Sequence, residues 1–257
     1  RIAFSILGDK AMAGKLGLCS DMEYDILTNM ISKGINSVTS TSAGRLFDAA
    51  SAVLGIRRVS TFEGEAATAL MFSAERYARA NNIDLNNINL NGKSLNKKRL
   101  NEKSLKDKSL NDNSLNDNSL NDKSLNDNSL NEKSLNNKSL NIRADYTEAE
   151  VEDIDNTNAL LRNIANEKLS GASSDRLAYE FHLKLAEMIA GRVLLYSGMT
   201  GIKTAALTGG VFQNTLLLSM TEALLKAEGI RVLRHSLIPP NDGGIAVGQA
   251  LYGLLNC

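Results

Sequence analysis

Between Asn81 and Leu140 leucine returns at every fifth position, through the units NNIDL, NNINL, NGKSL, NKKRL, NEKSL, KDKSL, NDNSL, NDNSL, NDKSL, NDNSL, NEKSL and NNKSL. That period suits neither regular element. On a helix each step of five turns the leucine by about 140° and scatters it around the axis, and on a strand it alternates faces. A right-handed β-helix of pentapeptides does use this period with leucine pointing inward. Such coils also want a small residue two places before the leucine, where Lys or Asn mostly stands here.

With Asn, Lys, Asp and Ser in the other places and no aromatic residue, the segment buries too little apolar surface to offset its ordering entropy. The expectation is a low-complexity insert, disordered or weakly ordered, formed by tandem duplication. It divides the chain into three parts, 1-80, 81-140 and 141-257. Its ten basic and eight acidic residues nearly cancel, which argues against a nucleic-acid-binding arm.

Outside the repeat about two hundred residues remain, enough for one core or two small packed units. Lys and Arg number 29, as do Asp and Glu, so neither a polyanion nor a membrane surface is the expected partner. No run reaches the roughly 18 apolar residues of a membrane span, and Ile2 to Gly8 is too short for a signal sequence. The two cysteines, Cys19 and Cys257, lack metal-binding spacing and suit a reducing cytoplasm as well as any other compartment; the cytoplasm is the expected location.

Periodicity points to a mixed, mainly helical fold with short strands. Ser20 to Glu23 is a capping box opening a helix that ends at Gly34. Leu46, Phe47, Ala50, Val53 and Leu54 stripe a second helix ending at Gly55, and a third runs from near Glu63 towards Ala80. Arg45 and Asp48 read by themselves as an exposed helix pair. Ordered chain is expected to resume near Tyr146. Ser174 to Val193 marks a long helix closed by Gly198, with His182 as a helix residue making a structural hydrogen bond. The apolar stripes read as core.

The richest chemistry lies from Leu207 to Gln249. Thr204 to Leu207 has strand length, and Leu216, Leu217, Met220, Leu224 and Leu225 keep the spacing of one helix face. A strand therefore turns into a helix at Thr208, Gly209 and Gly210. Glycine lets a ligand approach the main chain, and free N–H groups at a helix start favour an anion such as phosphate. The helix stops at Gly229, Ile230 to Leu233 reads as another strand, and Ile238, Pro239, Pro240 and Asn241 force an extended turn. Asp242 then stands beside Gly243 and Gly244. It reads either as an oxygen ligand for a divalent cation or as a cap for the final helix, Ile245 to Leu255. The bland alternative for each glycine pair is a tight turn.

These residues resemble a family. GGVFQN at Gly209 to Asn214, followed by PPNDGGIAVGQA at Pro239 to Ala250, is similar to the C-terminal end of the HypF carbamoyltransferases of nickel-iron hydrogenase maturation. TSAGRLFDAASAVLGI at Thr41 to Ile56, VSTFEGEAA at Val59 to Ala67 and FHLKLAEMIA at Phe181 to Ala190 agree in order. The TobZ-type O-carbamoyltransferases share much of the pattern.

The resemblance implies an α/β fold, the C-terminal part of an actin-like (ASKHA) ATPase domain of TsaD type. It implies ATP and carbamoyl phosphate as substrates, carbamoyl adenylate as the activated group, and the C-terminal cysteine of a HypE-like acceptor as its destination. Carried over by motif, Gly209, Gly210, Asn214 and Gly243 contact the nucleotide. Asp242 ligates a divalent metal, Mg, Zn or Fe. Thr41, Ser42, Gly44 and Glu63 lie near the adenosine or carbamoyl group. No side-chain nucleophile is evident. The family's HxxxH metal pair has no counterpart in His182 and His235, so the expectation is a fragment holding half of a larger active site. A TobZ-like or TsaD-like enzyme and a non-catalytic, decayed or repeat-bearing interaction protein are the alternatives.

Overall fold

The computed structural model describes residues 2–83 and 156–256. All of the repeat after residue 83 and the expected restart near Tyr146 lie outside them.

Nine α-helices are described: α1 (Ile2–Leu7), α2 (Lys10–Lys15), α3 (Asp21–Ser32), α4 (Ala43–Val53), α5 (Glu65–Ala80), α6 (Thr157–Leu169), α7 (Ser174–Thr200), α8 (Thr215–Ala227) and α9 (Ile245–Asn256). Strands β1 (Thr204–Leu207) and β2 (Arg231–Arg234) flank α8. Local chemistry sets most boundaries. Ser20 and Glu23 form the reciprocal capping box of α3, and Gly34, Gly55 and Gly229 follow their helices at positive φ, the left-handed cap that glycine adopts without penalty.

The spine is α7, 27 residues long and so about 40 Å from end to end. It packs against α4, α5, α6 and α8. Along one face Ala178, His182, Ala186 and Ala190 recur at every fourth position, all buried. The alanines let neighbouring helices approach closely, leaving His182 as the one large member of that row. Phe47 of α4 meets Phe181 edge to face at 5.1 Å, a favoured aromatic geometry at the centre of the core.

Gly198 does not close this helix. With no proline to interrupt the hydrogen-bond ladder, α7 runs through it to Thr200 and is capped by Gly201 at φ 73°.

A second tie joins α5 to α7 across a wide gap in sequence. Arg76 donates to Asp175 at 2.8 and 3.2 Å, and Ser73 donates to the same carboxylate. The Arg76 guanidinium, with Ser73 assisting, holds the Asp175 carboxyl below the usual carboxylate range.

The strands form a two-stranded parallel sheet, with Thr204 opposite Arg231 and Leu207 opposite Arg234. β2 begins and ends one residue later than its apolar run suggests, because Arg231 N–H already bonds the Lys203 carbonyl. α8 crosses between the strands with Leu216, Leu217, Met220, Leu224 and Leu225 buried, the stripe read from the sequence.

The last helix departs from the expectation that apolar stripes are core. α9 has no buried residue, and Tyr252, Leu254 and Leu255 are 71%, 80% and 76% exposed. Val247 and Leu251 of the same helix and Leu237 before it are exposed as well.

Candidate functional site

The site is built where the two parallel strands end. Leu207 is buried at the end of β1, Thr208 follows, and Gly209 adopts φ 97°, ψ 156°, a conformation that essentially only glycine holds. A Cβ at Gly209 would meet nothing within 4 Å, so the space beside this main chain is open.

The chain does not pass directly into an α-helix at the glycines. Residues Gly210–Gln213 form a 3-10 turn, with Phe212 N–H bonded to the Gly209 carbonyl at 3.0 Å, and α8 begins only at Thr215. The reason is Asn214. Its backbone is extended and its Oδ1 accepts from Leu217 N–H at 2.9 Å, so it is the N-cap of α8.

The other end of the Asn214 side chain is also engaged. Its Nδ2 lies 2.9 Å from His182 Nε2, while His182 Nδ1 lies 2.7 Å from the Ala178 carbonyl. A carbonyl can only accept, so Nδ1 carries the proton and Nε2 accepts from Asn214. His182 is thus a neutral, fully buried imidazole making structural hydrogen bonds, as its place in the helix suggested. Burial pushes its pKa down to about 4, against a smaller opposing pull from the Ala178 carbonyl.

The second glycine pair serves close packing. Asn241 Oδ1 accepts from Gly243 N–H at 3.0 Å, and Gly244 N–H bonds the Asn241 carbonyl at 2.9 Å. A Cβ on Gly244 would fall 2.8 Å from the Pro239 carbonyl oxygen, and one on Gly243 would fall 3.1 Å from Asn241 Oδ1. The prolines therefore leave room for glycine alone at the tightest point. The side-chain cap seen here is Asn241, on the 3-10 turn Asp242–Gly244 that leads into α9, and the Asp242 side chain stays exposed.

The two turns lie side by side. A Cβ on Gly210 would stand 3.9 Å from Asn241 Cβ. A further link closes the strand ends, where Thr208 Oγ1 and His235 Nε2 are 2.8 Å apart.

The residues read from the first half of the chain are placed less closely. α4 packs against the 210–213 turn, and its Phe47 ring meets His182 edge-on at 5.3 Å. Ser42 is the N-cap of α4 but makes no capping hydrogen bond, leaving the start of that helix without a side-chain cap. Gly44 stands in its first turn, and Thr41 is exposed just before it. Glu63 is exposed in the turn before α5. Among the described residues no hydrogen bond or ion pair joins these four to the glycine turns.

A nearby residue was missed. Glu65, not Glu63, is the buried glutamate of the EGEAA segment. It accepts from Thr61 N–H at 2.5 Å and Thr61 Oγ1 at 3.1 Å and pairs with Arg57. The available signal was its position in the first helical turn, where an acidic residue is favoured. Asp48, paired with Arg45 in the sequence reading, is raised above the usual carboxylate range by partial burial, which Arg45 opposes.

Among the described residues no three His, Cys, Asp or Glu side chains gather into a metal-binding group. Asp242 is a single oxygen donor, too few for a cation by itself.

A mainly helical α/β fold with two glycine turns at its parallel strand ends matches a known family. The chain fits the family model described as carbamoyltransferase, Kae1-like domain, second subdomain, over residues 1–122 and 125–249, and it belongs to that family. It is 44% identical over 84 residues to the carbamoyltransferase HypF of Rhodobacter capsulatus, a match covering 32% of this chain and 11% of that protein. It is 24% identical over 257 residues to the probable carbamoyltransferase HypF of Methanocaldococcus jannaschii, covering 99% of this chain and 25% of the other.

Among solved structures, full-length HypF in its phosphate- and nucleotide-bound form superposes with a TM-score of 0.62 at 22% identity, over 98% of this chain and 30% of that one. The HypF of T. kodakarensis gives a TM-score of 0.57 at 23% identity, over 93% of this chain and 24% of that one. The fold is thus that of the C-terminal, Kae1-like part of HypF. The chain spans between about a tenth and a quarter of the length of these curated relatives. No helix among the described residues is long and apolar enough to cross a membrane.

Proposed function

We propose that this chain is the nucleotide-binding lobe of a HypF-type carbamoyltransferase. In this reading a carbamoyl group from carbamoyl phosphate is activated with ATP as carbamoyl adenylate and passed to the C-terminal cysteine of a HypE-like acceptor. The observation that carries the reading is the pairing of the two glycine turns, Gly210 beside Asn241, at the ends of parallel strands. Ligands of open α/β sheets bind outside the carboxyl ends of the strands.

Within that site each residue has a physical task. Gly209 leaves open space beside the main chain, so a phosphate can come close to the N–H groups of the following turn. Asn214, held at both ends, fixes that turn through the N-cap of α8 and so positions the loop. Gly243 keeps the second turn tight enough to lie against the first. Thr41, Ser42, Gly44 and Glu63 face the adenosine or carbamoyl end in this reading, supported by the contact of α4 with the 210–213 turn.

Asp242 places a negative charge beside a site for anions. Asp242 would hold a divalent metal, Mg, Zn or Fe, which when bound would offset that repulsion and polarise the transferring group.

The test is titration of ADP and of ATP with Mg into the chain, followed by carbamoyl-phosphate-dependent pyrophosphate exchange in a form joined to the N-terminal parts of a relative. Nucleotide binding by the chain and exchange by the joined form are expected. Absence of both sinks the reading.

A further inference from the structure

Thr208 and His235 have no role in the site as drawn so far. They are the first residues beyond the last register pair of the sheet, Leu207 opposite Arg234, and their side chains meet at 2.8 Å across the strand ends. Thr208 immediately precedes Gly209, beside which the space is open. A ligand lying on the first glycine turn therefore comes next to this pair.

We propose that His235 is a phosphate-binding residue of this site and that Thr208 orients its ring. The proposal rests on the nucleotide reading above and adds the group that meets the phosphate. A Thr208 hydroxyl donating to Nε2 leaves the ring proton on Nδ1, free to donate to an anionic oxygen. The chemical need is plain. The neighbouring turn presents the Asp242 carboxylate, which repels phosphate, and the Asn214 amide is spent on His182 and on the N-cap of α8. His235 supplies a side-chain donor at the same place.

The chain has only two histidines, so their ring signals separate cleanly in NMR spectra of the full chain, with His235→Gln giving the assignment. ADP and inorganic phosphate are titrated separately, with adenosine as the phosphate-free probe. The expected result is that ADP and phosphate move the His235 ring signals and leave those of buried His182 in place. ADP affinity should fall about tenfold in His235→Gln and less in Thr208→Val, as loss of a hydrogen bond to a charged group predicts. Adenosine affinity should be unchanged.

A response to ADP and not to inorganic phosphate would mark the nucleotide as the source of the bound phosphate, and a response to both would mark a general phosphate site. If the wild-type chain binds ADP while the His235 ring does not move and His235→Gln binds within twofold, the assignment is wrong and the nucleotide reading stands. If the wild-type chain binds neither ADP nor phosphate, the nucleotide reading fails and takes the assignment with it.

Discussion

His182 Nε2 accepts a hydrogen bond from Asn214 Nδ2 at 2.9 Å, and this contact couples the central helix α7 to the first turn of the candidate site. Each partner is fixed from behind, His182 by the Ala178 carbonyl and Asn214 by Leu217 N–H. Neither side chain can turn without breaking two bonds.

The first prediction concerns this pair. Asn214→Ala removes the N-cap of α8 and leaves a buried imidazole nitrogen unsatisfied, a loss of about 2 kcal/mol. His182→Ala opens a cavity beside Phe47 and costs about 3 kcal/mol. The double variant should lose less than the sum of the two, because both singles break one bond. Urea denaturation of the four proteins measures the coupling, and strict additivity would show that the contact carries no energy.

The depressed pKa of His182, about 4 against 6.5, sets a pH dependence. Above pH 6.5 the ring is neutral in both folded and unfolded chains, and stability is complete. As pH falls from 6.5 towards 4 the unfolded chain takes up a proton that the folded one refuses, so stability is lost over that window, by about 3 kcal/mol in all. Below about 4 the folded ring protonates and the loss levels off. Asp175, depressed by Arg76, contributes its loss lower, below the usual carboxylate range. Urea midpoints from pH 7.5 to 4 should follow this course in the wild type and flatten in His182→Gln.

The glycine turns should respond differently to the same substitution. Gly209→Ala forces an L residue to φ 97° with no clash, a cost of about 1 to 2 kcal/mol. Gly244→Ala meets the Pro239 carbonyl at 2.8 Å and displaces the second turn from the first. Nucleotide affinity measured in both variants should fall, and adding stabilising cosolvent should restore neither.

Asp242 is exposed, so Asp242→Asn should shift the melting temperature by no more than a degree or two. If the carboxylate is a metal ligand, the same change removes the dependence of nucleotide binding on divalent cations. Titrations with Mg and with EDTA compare the two proteins, and equal cation dependence in both would rule out the metal role.

The exposed apolar face of α9 predicts self-association. Leu254→Glu with Leu255→Glu removes two side chains that are 80% and 76% exposed, so folding stability should hold within about 0.5 kcal/mol while the soluble fraction rises. Sedimentation velocity distinguishes this from a destabilising change.

Much of this arrangement is legible in the sequence because its signals are local. The capping box at Ser20, the glycine stops at Gly55 and Gly229 and the stripe of α8 each depend on residues within a few positions. What escaped was set by partners far along the chain. Nothing near Asn214 shows that His182, 32 positions away, will hold its amide. Glu65 and Glu63 look alike until Arg57 and Thr61 fold back onto one of them. The apolar pattern of α9 was read correctly as a helix, but pattern does not say what covers it. The proposal that Thr41, Ser42, Gly44 and Glu63 lie near a nucleotide rests on the family likeness and on the contact of α4 with the 210–213 turn.

The clamp of Ser73 and Arg76 on Asp175 bears on how the two described stretches of the chain are held to each other. Its partners stand 102 and 99 positions apart, so the placement of α5 against α7 is written into three side chains that lie within the described residues themselves.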